Sequence, residues 1–431
     1  MTPYELVAYS AIVIAVCTAL SMPSGLAPIL LMQLGLVDSG LWILARNHSI
    51  TVAIPVIYAT ATVSLAVGLR LANRVYARSM DPTPGGPIKT IPNRVVWLVV
   101  LVASGLSLFH LFAIGLPVFS PSVEVTRFDF TSSGLFGVPG RMYLFGTTIA
   151  LVVATASADA TCQPWRKCTV YRFALLAEVV TSVLSGFKGS LLHLAITLIL
   201  IQAVLGRSRP RIVTILKRYL PLGIIAIAYF LYVATTYTSY SAHGESLLTQ
   251  LVDRLTVQGA RPAANVMTNA FYWPYHNTIV HDFYYYIHEY LGLGTGIDFS
   301  APRAVSSGIL SIDPTSRLKT PPVAMGGIAE LKFNWGSAAA ICLMFVLGLA
   351  LGYAEAQRPR SVVRRSLLAI VVLSGYDFIT HGDLAYYVLN WAMVSVMIAL
   401  IGIAAWFIPT PSERPAMVNR SDKVRLAKSL R

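Results

Sequence analysis

Long apolar runs recur along the chain, separated by short polar stretches in which arginine and lysine collect. A helix needs roughly 20 apolar residues to cross about 30 Å of hydrocarbon. By that measure the pattern predicts spans near 5–22, 25–45, 48–69, 95–116, 141–158, 171–186, 190–206, 219–235, 335–356, 366–381 and 384–407. The expected fold is an all-α polytopic membrane protein with about ten or eleven membrane-spanning helices, because spanning backbone must satisfy its own hydrogen bonds. The first run follows Glu5, lacks a basic flank and leads straight into further spans, so it does not read as a cleavable signal peptide. Segment 25–45 contains Asp38 and nearby prolines, and reads either as a true span or as a re-entrant piece. Three spans before residue 70 put the N-terminus outside; two put it inside.

The polar connections test this pattern. Arg70, Arg74, Arg78, Lys89 and Arg94 crowd one connection, Arg166, Lys167 and Arg172 the next, and Arg207 to Arg218 and Arg358 to Arg365 two more. Counted alternately, all of them fall on the same side, as does the basic tail, and the positive-inside rule makes that side cytoplasmic. Four regions follow: an N-terminal bundle (1–235), a large outer loop (236–334), C-terminal helices (335–407) and a basic cytoplasmic tail (408–431).

Composition agrees. Of 431 residues, 55% are hydrophobic and 12% charged, whereas a soluble chain carries about 25% charged residues. The net charge of +14 would fit a nucleic-acid binder, but its confinement to short loops and the tail argues against one.

Candidate chemistry gathers on the outer side. The hairpin Ser185-Gly186-Phe187-Lys188-Gly189-Ser190 puts a lysine where the charge rule disfavours one; it reads as functional or as a snorkelling side chain. Loops of roughly a hundred residues inside a compact domain are uncommon unless they bind, gate or catalyse. Within this one, 245–270 has helical periodicity and predicts a helix lying on the membrane surface, with Arg254 and Arg261 on one face. Two such guanidiniums suit a phosphate, or equally a lipid headgroup. Tyrosines and His276, His281 and His288 follow, in keeping with an interfacial belt to which sugar stacking could be added. The Gly292–Gly296 run reads as a turn. Arg317 and Lys319 precede Gly326–Gly336, which delivers Glu330 to the mouth of the bundle, and Asp377, His381 and Asp383 lie near the same surface. Asp377 and His381, one helical turn apart, read as a structural pair or as part of an interior cavity.

At these residues the chain resembles the bacterial oligosaccharide repeat-unit polymerases, the O-antigen polymerase (Wzy-like) group. The Ser185–Ser190 hairpin, Asp253-Arg254 with Gln258-Gly259, Gly326–Gly336 and His381-Gly382-Asp383 carry the match, over roughly 170–390. The resemblance implies a glycosyltransferase-C-like fold and polymerisation of undecaprenyl-pyrophosphate-linked repeat units at the outer face of the bacterial cytoplasmic membrane, with no cofactor or metal. Lipid-linked oligosaccharides and membrane lipids are the implied partners, alongside chain-length regulator and flippase proteins. Two departures stand out: Lys188 and His381 occupy positions where the family usually has arginine, which loses the bidentate fork in one case and a fixed charge in the other. The expected pyrophosphate clamp is Lys188, Arg254, Arg261, Arg317 and Lys319. Glu330 is the expected general base, with His281 and His276 behind it, and Asp383 orients the clamp or holds the acceptor. A ligase of the same superfamily and a lipid-linked oligosaccharide flippase are the alternatives.

Overall fold

The computed structural model describes residues 26–79, 88–120, 137–161, 167–187, 189–205, 212–235, 254–291, 299–310, 322–357, 359 and 361–407. Among them regular structure is helical, apart from one isolated bridge between Lys89 and Ser361. In chain order the helices are α1 (Leu26–Arg46), α2 (Ala53–Ser79), α3 (Asn93–Ile114) and α4 (Val138–Thr161, interrupted by a π-helical turn at Met142–Gly146). Then come α5 (Thr169–Leu184), α6 (Ser190–Leu205), α7 (Ile212–Thr235), α8 (Gly259–Met267), α9 (Thr278–Leu291), α10 (Ala301–Leu310), α11 (Gly327–Ala356), α12 (Val362–His381) and α13 (Leu384–Phe407).

Six of the described helices, α1, α2, α3, α4, α11 and α13, are long and apolar enough to cross a bilayer. They make the chain an all-α membrane protein. The apolar α6, with 16 residues, is shorter, and α12 carries Arg364, Arg365 and Asp377 within its run. The run at 5–22 lies outside the described residues. Exposed apolar stripes such as Val56, Val63 and Val67 on α2 and Val396, Leu400 and Ile403 on α13 are the surface a bilayer covers.

Lipid tails are as apolar as leucine, so helices in a bilayer associate through close packing and internal polar contacts. The tightest packing joins α2 to α11. A Cβ on Gly68 would overlap the Phe345 carbonyl, and one on Gly348 the Leu65 carbonyl; on Gly352 it would lie 2.8 Å from the carbonyl oxygen of Leu69. Polar contacts knit one end of the bundle. Buried Arg365 pairs with Asp159 at 2.7 Å and also donates to the Leu205 carbonyl. Val362 N–H donates to the Lys89 carbonyl at 3.1 Å, and Asn73 Nδ2 to Glu355 at 3.4 Å. The connections that leave α2, α4, α6 and α11 therefore start from a common end, where the basic loops were expected to gather.

The segment before α8 departs from the expected surface helix. Residues Arg254–Gln258 form a π-helical turn that packs with α8 against α1. Gly40 makes room for it, since a Cβ there would overlap the Thr256 carbonyl. Ala260, Ala263, Ala264, Val266 and Met267 are buried. Small residues on both partners allow this approach; the side chains of the apolar stripe at 247–255 that suggests a surface helix lie outside the described residues. Further along, Gly336 (φ 83°) breaks α11 between a buried first segment and the long apolar one.

Replacing Gly348 by alanine forces α2 and α11 apart, a strain of about 1–3 kcal/mol for overpacked sites. Thermal unfolding in detergent should show a lowered midpoint; an unchanged midpoint would contradict the packing described.

Candidate functional site

A cavity of about 720 Å³ opens at the end of the bundle opposite the Arg365–Asp159 pair. Its walls come from the start of α4, the end of α5, the hairpin to α6, one face of α9, the start of α10 and the turn between α12 and α13.

The first wall follows from the π-helical turn of α4. Such a turn inserts a residue into the helix and re-aims the side chains around it. Arg141 sits at its entry, 5% exposed, and lines the cavity. Its Nε donates to Asn390 Oδ1 at 3.1 Å and its guanidinium carbon lies 3.4 Å from the centre of the Tyr290 ring. Asn390 in turn donates to the Tyr290 hydroxyl at 2.7 Å. A planar cation on an aromatic face with a fixed Nε bond is held in one orientation. Arg303 of α10 brings a second guanidinium to the same cavity.

A second group is formed by α6 and α12. His193 Nε2 lies 3.1 Å from Asp377 Oδ1, and Trp391 Nε1 donates to the other carboxylate oxygen at 3.0 Å. Asp377 is 5% exposed and fixed from two sides; the His193 side chain is 41% exposed and borders the cavity. A carboxylate on one imidazole nitrogen sets the tautomer, so in the neutral ring Nε2 carries the proton and Nδ1 the lone pair. Glu178, buried beside them in α5, accepts from the Thr148 hydroxyl at 2.9 Å.

The third wall is the turn His381-Gly382-Asp383. Gly326 N–H donates to the His381 carbonyl at 2.9 Å, and a Cβ on Gly382 (φ 75°) would lie 3.0 Å from the nitrogen of Gly326. The two glycines of these separate motifs touch. Asp383 takes the left-handed conformation (φ 59°), accepts from the Tyr286 hydroxyl at 2.6 Å and caps α13 by accepting from Tyr386 N–H at 3.1 Å. Burial, and secondarily the Asp282 charge, push its carboxyl well above the usual range.

The anticipated site residues part company here. Asp383 lines the cavity. Glu330 lies behind the wall, 1% exposed, where its carboxylate accepts Leu384 N–H at 3.2 Å and supports the start of α13. His281 is buried between Tyr275 and Trp273, at ring-centre distances of 4.0 and 4.7 Å, with Nδ1 2.8 Å from Asp282 Oδ1. Both Asp282 oxygens accept Ala301 N–H at 3.1 Å, tying α9 to α10. His276 and, on α8, Arg261 are exposed. Arg254 opens the π-helical turn before α8, but its side chain lies outside the described residues, as do Lys188, Arg317 and Lys319 altogether. Their neighbours Phe187, Gly189 and Pro322 line the cavity.

Arg141, Arg303 and His193 are not singled out from sequence, whereas Asp377, read with His381 as a structural pair or as part of an interior cavity, lines the cavity. Arg141 carried the same signal as Lys188, a cation at the outer mouth of a span. His193 and Glu178 were polar interruptions in apolar runs, the kind that face a bundle interior.

Comparison with protein-family models, curated proteins and solved structures finds no match, so no family is assigned by similarity.

Burial lowers the His281 pKa from 6.5 to about 4. The folded loop excludes the proton that the unfolded segment accepts below about 6.5, so stability present above that pH is lost as pH falls toward about 4. Amide-exchange protection over 278–291 should fall on acidification more in the parent than in His281→Gln, which keeps Asp282. Equal losses would contradict a neutral His281.

Proposed function

We propose that this protein is a membrane glycosyltransferase that polymerises sugar units carried on a lipid pyrophosphate, with the cavity as its active site. The observation that carries the reading is the pairing, in one cavity, of an oriented Arg141 guanidinium and the nearby Arg303 with a carboxylate-oriented histidine. The volume falls within the range of small-molecule sites, and the tyrosines of α9 and α13 offer faces on which sugars stack.

In this reaction the acceptor hydroxyl attacks the anomeric carbon. A new C–O bond forms as the bond to the pyrophosphate oxygen breaks. Negative charge grows on the leaving group, and Arg141 and Arg303 are the groups suited to hold it, because guanidinium forks match phosphate oxygens. The hydroxyl proton passes to His193 Nδ1, and the imidazolium is stabilised by Asp377 through Nε2. In-line attack inverts the anomeric configuration. The base role is assigned to His193 over Glu330, which does not border the cavity and is engaged at the start of α13. The charge pattern supports a cavity open to the outer face, since it lies opposite the end where the basic connections meet.

The direct test adds purified protein to a lipid-linked repeat unit. A ladder of longer glycans with inverted linkages is expected. A single addition would favour a ligase, and a substrate that crosses the bilayer unchanged would favour a flippase. His193→Ala should slow transfer by about 10²–10⁴-fold, the usual worth of a general base. Arg141→Lys, which keeps charge but loses the fork, should also impair turnover, whereas Glu330→Gln should retain most of it. Loss in Glu330→Gln with retention in His193→Ala would return the base role to Glu330.

A further inference from the structure

The helix α9 has two apolar faces, and the cavity uses only one. Tyr285, Tyr286 and Tyr290 pack with Ala385, Tyr386 and Leu389 of α13. On another face Val280, Tyr284, Ile287 and Leu291 are 69%, 48%, 42% and 57% exposed. Their spacing of four, three and four residues sets them in one stripe along the helix, and no charged residue falls within it. In water such a stripe on a 14-residue helix would be a liability.

Hydrogen bonds to α13 give the depth of this stripe. Tyr286 reaches Asp383, immediately before the apolar span Leu384–Ala405, and Tyr290 is bonded to Asn390. Asn390 is six residues into that span, about 9 Å along a helix rising 1.5 Å per residue. From Tyr286 to Tyr290, α9 thus follows α13 into the bilayer rather than away from it. The α13 surface alongside is also outward-facing: Val388, next to the packed Leu389, is 41% exposed, and the stripe continues through Val396, Leu400 and Ile403. The exposed face of α9 therefore lies at the depth of the first turns of the apolar α13 span. At roughly 21 Å, α9 is too short to cross.

We propose that α9 is a partly inserted membrane helix whose Val280, Tyr284, Ile287 and Leu291 rest against lipid acyl chains, while its opposite face walls the cavity. A single helix then separates hydrocarbon from the cavity. The lipid tail of a bound substrate could stay in the bilayer with its polar head inside. The insertion itself does not depend on the reaction performed.

Nitroxide labels at Val280, Ile287 and Leu291, each in the full chain with its native cysteines replaced by serine, test this in lipid vesicles. Oxygen should collide with the labels at Ile287 and Leu291 several-fold more often than a water-soluble nickel chelate does, with the ratio rising from Val280 to Leu291. Preferential collision with the chelate would overturn the proposal, as would dipolar broadening from a second copy packed on the face. A photoreactive phenylalanine analogue at Ile287, in native membranes with the cysteines intact, should crosslink to lipid. A crosslinked protein dimer would overturn the proposal equally.

Discussion

Where α11, α12, α13 and α9 converge, the backbone of Gly326 lies against Gly382, with the Gly326 N–H bonded to the His381 carbonyl. A Cβ on Gly382 would crowd the Gly326 backbone at 3.0 Å, both glycines have positive φ (75° and 81°), and the turn they form aims the Asp383 carboxylate at Tyr286 and at the first turn of α13. Glu330, from the helix that starts at Gly327, accepts the next backbone N–H, that of Leu384. In a medium without water each of these groups must be met by another protein group. The junction thus sets the start of α13, and through it Asn390 and Trp391. Those two residues in turn orient Arg141 and Asp377. The cavity inherits its geometry from a contact between two glycines.

The two ends of the bundle use similar groups differently. At one, Arg365 spends its guanidinium on Asp159 and the Leu205 carbonyl, and the pair is closed off inside packed helices. At the other, Arg141 is steadied by Asn390 and the Tyr290 ring, and it borders open volume. Breaking a buried pair leaves an uncompensated charge and costs stability. Arg141 differs in facing the cavity, where a bound group can reach it.

How much was legible in the sequence follows the same physics. The spans of α1, α2, α3, α4, α11 and α13 show because hydrocarbon demands uninterrupted apolar length, and Asp383 stands out only as part of the His381-Gly382-Asp383 motif that carries the family resemblance. Packing was harder to see. The docking of Arg254–Gln258 on Gly40 depends on small residues far apart in the chain, which apolar periodicity does not show. Glu330 and His281 were chosen for their chemistry, and only three-dimensional placement shows them holding α13 and α9. The reverse holds for His193, which becomes prominent only because α12 brings Asp377 beside it, a carboxylate held in turn by Trp391 of α13.

The central claim is that the cavity receives a lipid-linked pyrophosphate head. It is tested most directly by a structure of the protein in a lipid nanodisc with undecaprenyl pyrophosphate. The account predicts diphosphate density between Arg141 and Arg303, with the tail leaving toward lipid. Diphosphate bound elsewhere, with the cavity filled only by water at saturating ligand, would contradict it.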